Sequence, residues 1–214
     1  MAIAAKICGL NDIEGLDAAL RHGTRMVGFN GFPPSPRYVT PDRLAALAAR
    51  VPDHVERVGV FVDPDDATLE TWIPAGRLSI VQFHGHEPPA RLQAVRERFG
   101  VEVMKVIRVA EAADLDGVGP YEPVAEWLMF DAKPPREATR PGGNAVAFDW
   151  RLLSGRSYRR PWLLAGGLDA DNVKEAASLS GARFVDVSSG VESKPGLKDP
   201  AMIRAFLETV RDLV

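Results

Sequence analysis

The chain has 214 residues, is 46% hydrophobic and carries a formal net charge of −3, with acids and bases mixed along its length. That length suits one barrel domain or two small domains, and the lack of a basic block argues against a nucleic-acid partner. No apolar run approaches the ~20 residues of a bilayer span, which argues against a membrane partner.

The first residues, Met-Ala-Ile-Ala-Ala-Lys-Ile-Cys, lack the charged segment that precedes the apolar stretch of a signal peptide. The single cysteine forms no intrachain disulfide and fits a reducing cytoplasm. Eight short apolar runs predict strands at residues 4–8, 26–29, 58–62, 80–83, 103–107, 127–130, 162–165 and 184–187. They are continuous rather than alternating, as in strands buried on both faces of a parallel sheet. Helical patterns fall between them. Residues 12–22 place Ile13, Leu16, Ala19 and Leu20 at helical spacing, and 41–50 opens with Thr40 as N-cap and Pro41 at the first helical position. Further helices are predicted at 67–73, 89–99, 110–115, 171–179 and 200–213, with a short one near 150–153.

The two kinds of connection differ. Gly23, Gly76, Gly100 and Gly181 stand singly after helices, where a C-terminal cap calls for φ > 0. The strand-to-helix stretches 30–40 and 131–147 are long and rich in Pro, Gly and charge, a composition more often functional than structural. Regular alternation without a linker or an antiparallel hairpin predicts a single (β/α)8 TIM barrel domain over residues 1–214, ahead of an open doubly wound sheet. The ends of barrel strands form one rim, and that rim is where such barrels do chemistry.

Most of the unusual residues fall on that rim. Cys8 ends the first run and is either a small buried hydrophobe or a nucleophile or base. Asp131 ends the sixth run, where a charge needs a partner such as Lys133 or a chemical role. Arg37, in a loop stiffened by Pro34 and Pro36, is either a solvated surface residue or a clamp for a carboxylate or phosphate. Gly166-Gly167 and Ser188-Ser189-Gly190 follow the seventh and eighth runs, the habitual phosphate site of β/α barrels. Gly142-Gly143 lies in the sixth long loop. His84 and His86 invite a zinc reading, but the rim offers too few further His or Cys ligands, so no metal is expected. His84 then reads as a hydrogen-bonding rim residue, and Gln82 points into the barrel. Lys6 and Lys105 lie within strands and could form a Schiff base or pair with acids inside the barrel.

An ordered set of motifs spans the chain from Lys6 to about Asp199. It comprises Lys6-Ile7-Cys8-Gly9-Leu10, Val27-Gly28-Phe29, Ser35-Pro36-Arg37-Tyr38-Val39, Val58-Gly59-Val60-Phe61-Val62 and Val81-Gln82-Phe83-His84-Gly85. It continues with Phe148-Asp149-Trp150, Ala165-Gly166-Gly167-Leu168 and Val185-Asp186-Val187-Ser188-Ser189-Gly190-Val191-Glu192. This set resembles the phosphoribosylanthranilate isomerase family of tryptophan biosynthesis. The resemblance implies a cofactor-free β/α barrel, monomeric or homodimeric, acting on a phosphorylated small molecule. It implies Cys8 as general base, Asp131 as general acid and Arg37 as holder of the anthranilate carboxylate. It implies a phosphate site at Gly166, Gly167, Ser189 and Gly190, helped by Gly142 and Gly143.

A base role leads to the expectation that a positive field lowers the Cys8 pKa. With Cys8 at a position where a related sugar-phosphate isomerisation would use an aspartate, a single activity is expected. Two departures from the family pattern bear on loop geometry. Ala145 in Asn144-Ala145 replaces a glycine, restricting the backbone if φ > 0 is required, and Asn30-Gly31 is expected to loosen the loop bearing Arg37. The competing readings are a Schiff-base aldolase using Lys6 or Lys105 and a non-catalytic phosphate-binding barrel.

Overall fold

In the computed structural model, which describes residues 3–133 and 147–213, every predicted strand forms. They are β1 (Ala4–Cys8), β2 (Met26–Asn30), β3 (Glu56–Phe61), β4 (Ile80–Phe83), β5 (Glu102–Val109), β6 (Trp127–Ala132), β7 (Trp162–Leu164) and β8 (Phe184–Val187). Neighbours pair in parallel and in sequence order, and β8 closes on β1 through Ala4↔Phe184 to Ile7↔Val187.

The helices are α1 (Ile13–Arg21), α2 (Pro41–Ala48), α3 (Asp66–Gly76), α4 (Pro89–Phe99), α5 (Val173–Ser180) and α6 (Pro200–Arg211). Their starts are chemically marked. Asp12, Thr40, Asp65 and Asp199 each accept a hydrogen bond from an amide of the first turn, and Pro41 and Pro200 open α2 and α6. Two expectations change here. Gly76 does not cap α3; it is the last helical residue, and Arg77 takes the left-handed conformation at φ 44°. A Cβ on Gly76 would come within 2.7 Å of a Leu78 methyl, so the glycine serves packing. The helix expected at 110–115 is a 3-10 helix, Ala112–Val118, whose Gly117 weakens α-helical propensity. The short helix near 150–153 is also 3-10, Trp150–Leu153.

Strand alternation divides the apolar residues between two cores. Ile7, Phe29, Phe61, Phe83, Phe130 and Val187 face outward and pack against helix residues such as Leu16, Leu44, Leu92 and Phe206. Met26, Val58, Ile80, Met104, Val106, Met129 and Leu163 face inward and fill the barrel. One element lay outside the sequence expectation. After β8 the chain makes an antiparallel pair, β9 (Glu192–Lys194) with β10 (Leu197–Lys198), before α6. It is three residues against two, too short to give a periodic signal.

Candidate active site

The inward parity that puts Met26 inside the barrel also applies to its ladder partner Lys6, and two residues later to Cys8. Both side chains crowd Gly28, where a Cβ would lie 3.0 Å from Cys8 Sγ and 3.1 Å from Lys6 Nζ. Lys6 is fully buried and donates to Asp186 Oδ1 of β8 at 2.7 Å. Burial opposes the Lys6 charge, but Asp186 and Cys8 hold its ammonium above the usual lysine range. Burial likewise pushes the Cys8 thiol up; Lys6 and Lys198 pull it down, while Asp186 adds to the rise. The expected lowering of the thiol is therefore not found. Desolvation outweighs the two lysines because each of them is already neutralised by a carboxylate.

Asp131 is the second-last residue of β6, inside the strand rather than after it. Its Oδ1 accepts from the Ala132 amide at 2.8 Å. Its Oδ2 lies 3.2 Å from His84 Nε2, close enough for charge interaction but not aligned as a hydrogen bond. Lys133 does not serve Asp131; it pairs with Asp114 at 2.9 Å. His84 stands at the end of β4, and its carbonyl accepts from Arg108 Nη2 of β5 at 2.6 Å. Gln82, two residues earlier, donates to Met129 Sδ at 3.6 Å and leaves Oε1 buried without a partner among the described residues.

Arg37 is neither a surface residue nor free. It is buried, and its Nε and Nη2 donate to Glu192 Oε1 and Oε2 at 2.7 and 2.8 Å. Glu192 also accepts from Lys198 Nζ at 2.8 Å. Burial would raise the Glu192 carboxyl, but Arg37 and Lys198 together hold it below the usual range. Burial pushes the Lys198 ammonium down, against the pull of Glu192 and Cys8. Nor does Asn30-Gly31 loosen the loop. Asn30 Oδ1 accepts from the Phe32 amide at 2.9 Å, the Gly31 amide donates to Val60 O at 2.8 Å, and Asn30 bridges to Tyr38. Gly31 is needed there because a Cβ would lie 2.5 Å from the Phe61 ring.

The two C-terminal glycine clusters form one surface. Gly166 and Gly167 have φ of 90° and 65°, a run only glycine adopts readily. Gly190 lies in the 3-10 turn Ser189–Val191 and meets the other loop directly: a Cβ on it would fall 1.9 Å from Leu168 O. Glycine-rich turns of this kind expose backbone N–H groups, the donors that an anion site uses. Gly142, Gly143, Asn144 and Ala145 lie outside the described residues.

Sequence reasoning placed Lys6 and Lys105 within strands, and both are paired. Lys105 Nζ donates to Glu87 Oε2 at 2.8 Å and to Gly85 O at 3.0 Å. It missed Lys198, Arg108 and the part played by Glu192 and Asp186. Glu192 and Asp186 were in view within a motif, but their partners Arg37 and Lys6 lie more than a hundred residues away.

A closed parallel barrel with its ionisable side chains gathered at the C-terminal mouth defines a (β/α)8-barrel enzyme. Among the described residues no helix is long and apolar enough to cross a membrane. The chain belongs to the N-(5'-phosphoribosyl)anthranilate (PRA) isomerase family, whose sequence model matches residues 5–209. It is 55% identical over 211 residues to the N-(5'-phosphoribosyl)anthranilate isomerase of Paramagnetospirillum magneticum, covering 99% of this chain and 98% of that one. It superimposes on the phosphoribosyl anthranilate isomerase of Thermotoga maritima with a TM-score of 0.88 at 32% identity, over 99% of this chain and all of the other. A second phosphoribosyl anthranilate isomerase structure, solved with reduced 1-(o-carboxyphenylamino)-1-deoxyribulose 5-phosphate, matches with a TM-score of 0.85 at 31% identity, covering 99% and 100%.

Proposed function

We propose that this chain carries out the family's reaction, the Amadori rearrangement of N-(5-phosphoribosyl)anthranilate to 1-(o-carboxyphenylamino)-1-deoxyribulose 5-phosphate, with Cys8 as general base and Asp131 as general acid. The observation that carries the assignment of roles is placement. A thiol on β1 and a carboxyl on β6, three strands apart around the closed barrel, both project at its mouth. The reaction needs two proton-handling groups at different atoms of one sugar. Asp131 gives a proton to the ribose ring oxygen as the C1–O bond breaks, leaving an iminium between C1 and the aniline nitrogen. Cys8 then removes the C2 proton, and the electron pair neutralises the iminium to give an enolamine. The enolamine tautomerises to the ketone by taking a proton at C1 and losing one from the C2 hydroxyl.

The local contacts suit these roles. Asp131 Oδ1 is occupied by the Ala132 amide, so Oδ2 is the oxygen left to carry a proton. The Gly166, Gly167, Ser189 and Gly190 backbone would hold the phosphate. Arg37 retains its Nη1/Nη2 edge for the anthranilate carboxylate, since only its Nε/Nη2 edge is used by Glu192. His84 at the rim, with Gln82 one inward position below it, would contact the substrate from β4. The Gly85–Glu87 contacts hold the turn that follows His84.

Turnover is followed by the fluorescence of the anthranilate group after enzyme is added to freshly made phosphoribosylanthranilate. Wild type is expected to turn over, with Cys8→Ala and Asp131→Ala each slower by about 10²–10⁴-fold, the usual worth of one acid or base. Retention of wild-type rates in either variant would remove that residue from its role.

A further inference from the structure

Arg37 is held along its stem and along one edge of its guanidinium. The Cα of Gly9, at φ 74°, sits against its side chain so closely that a Cβ would fall 2.5 Å from Arg37 Cδ. The Arg37 amide donates to Ser35 Oγ at 3.2 Å. The β9–β10 turn closes over the same loop: Gly196, at φ 83°, would place a Cβ 2.5 Å from Pro36 O, and Asn11 Nδ2 donates to Gly196 O at 2.9 Å. Within this cage Glu192 orients the guanidinium through two hydrogen bonds along a single edge. Glu192 is itself fixed by Lys198 Nζ at 2.8 Å and by the Gly196 amide at 3.2 Å. Lys198 in turn is anchored on Ser188 O at 2.8 Å.

From this arrangement we infer that Glu192 is a positioning residue that sets which carboxylate isomer the site accepts, by presenting the Nη1/Nη2 edge of Arg37 in one direction only. The inference rests on the reading of Arg37 as the carboxylate clamp. A bidentate carboxylate pair requires its two N–H donors to be parallel and coplanar with the incoming oxygens. A guanidinium tied along Nε/Nη2 cannot rotate in its plane, so its free edge points at one place. A carboxylate ortho to the aniline nitrogen and one at the meta position reach different places when the sugar phosphate is held. With the edge fixed, only one of them meets both donors, and the other leaves a buried donor unpaired. Lys198 keeps Glu192 ionised and in place: both partners hold its carboxyl below the usual range.

Removing the Glu192 charge also makes the site more positive, which strengthens binding of any anion. That effect acts on both isomers and cancels in their ratio, whereas loss of orientation does not. The experiment therefore compares calorimetric affinities of two reduced product analogues, one built from 2-aminobenzoate and one from 3-aminobenzoate. They are measured on wild type, Glu192→Gln, Glu192→Asp and Arg37→Ala, with thermal unfolding of each variant recorded alongside. Glu192→Gln keeps the shape and loses the charge; Glu192→Asp keeps the charge and loses the reach.

The expected result is an ortho-over-meta preference reduced about tenfold in at least one Glu192 variant, within the range that one misplaced polar contact costs. A preference unchanged in both Glu192 variants would overturn the inference and leave Glu192 a structural residue. A preference unchanged in Arg37→Ala would instead show that Arg37 is not the clamp, and the inference would fall with that reading.

Discussion

Lys6 Nζ and Asp186 Oδ1 meet at 2.7 Å inside the barrel, one inward position below Cys8 on the same strand face. The pair is nearly sealed from water, with side-chain exposures of 0% and 9%. Asp186 therefore takes up much of the positive charge that would otherwise stabilise a thiolate. Because Cys8 is the only cysteine, the ultraviolet absorbance of the thiolate, taken as a difference against Cys8→Ser, reports it alone. The midpoint is expected above about 8.5, the unperturbed thiol value. Asp186→Asn frees Lys6 toward the thiol and is expected to lower the midpoint. Lys198→Met removes a stabilising charge and is expected to raise it. A wild-type midpoint at or below the unperturbed value would mean the lysines win over burial.

Gly166 bears on the opposite partner. Its Cα lies against β6, where a Cβ would stand 2.7 Å from the Ala132 amide nitrogen and 3.2 Å from Asp131 Oδ1. It also adopts φ 90°. Gly166→Ala is thus expected to strain the backbone by roughly 1–2 kcal/mol and to push the Asp131 carboxyl off its Ala132 hydrogen bond. A displacement of about 1 Å at a reacting group can cost on the order of 10²-fold in rate. The expected outcome is a kcat loss of that order with a folded protein by circular dichroism. A change in KM alone would assign Gly166 to phosphate binding and not to placing the acid.

Much of this was legible in the sequence, for an identifiable reason. The strands of a closed parallel barrel are buried on both faces, so β1, β4 and β8 appear as mainly apolar runs with sharp ends, each interrupted by one inward polar residue (Lys6, Gln82, Asp186), and their bounds match the reading residue for residue. Rim positions follow from those ends, and Cys8 closes β1 while Gly166-Gly167 follows β7 closely and Ser189-Gly190 follows β8 closely. What local pattern cannot carry is pairing at a distance. Arg37 and Glu192 are 155 positions apart, and Lys6 and Asp186 are 180 apart, so nothing near Arg37 announces that one edge of it is occupied. Lys198 follows two exposed residues and a glycine of a short turn and is buried only because β10 folds back beside Cys8 and Ser188. The expected lowering of the Cys8 pKa by a positive field fails chiefly because burial raises the thiol, and the Lys6–Asp186 pairing that weakens that field joins residues 180 positions apart.

Glu192 also makes a pH-dependent contribution to stability. Burial would raise its carboxyl, and the hydrogen bonds from Arg37 with the Lys198 charge more than offset that, so its folded pKa lies below the ordinary value. As pH falls, the unfolded chain takes up the proton first. The stability that Glu192 supplies is therefore complete above the unfolded value near 4.3 and is lost as pH falls through the lower folded value. Denaturant midpoints recorded across that acidic window are expected to fall more steeply for wild type than for Glu192→Gln. Curves of equal slope would mean that the Arg37–Glu192–Lys198 contacts do not perturb the carboxyl in solution.

Lys105 separates the isomerase from the aldolase reading. A Schiff-base nucleophile must offer a neutral amine to a carbonyl. Lys105 Nζ instead turns two of its three donors to Glu87 Oε2 and Gly85 O and lies 5.4 Å from the Tyr121 ring centre. Glu87 uses its other contacts to hold the Asp63 amide at 2.8 Å and the Gly85 amide at 3.0 Å, so the pair props up the turn that follows His84. Borohydride added during turnover is expected to modify neither Lys105 nor Lys6, as read by peptide mass. Lys105→Met leaves the Glu87 carboxylate buried and uncompensated, a change that costs about 3–5 kcal/mol in comparable pairs. It is expected to lower the unfolding midpoint far more than it lowers kcat in the protein that remains folded. A substrate-derived adduct on either lysine would make the aldolase chemistry the better account, because a purely acid–base isomerisation never bonds the sugar to the protein.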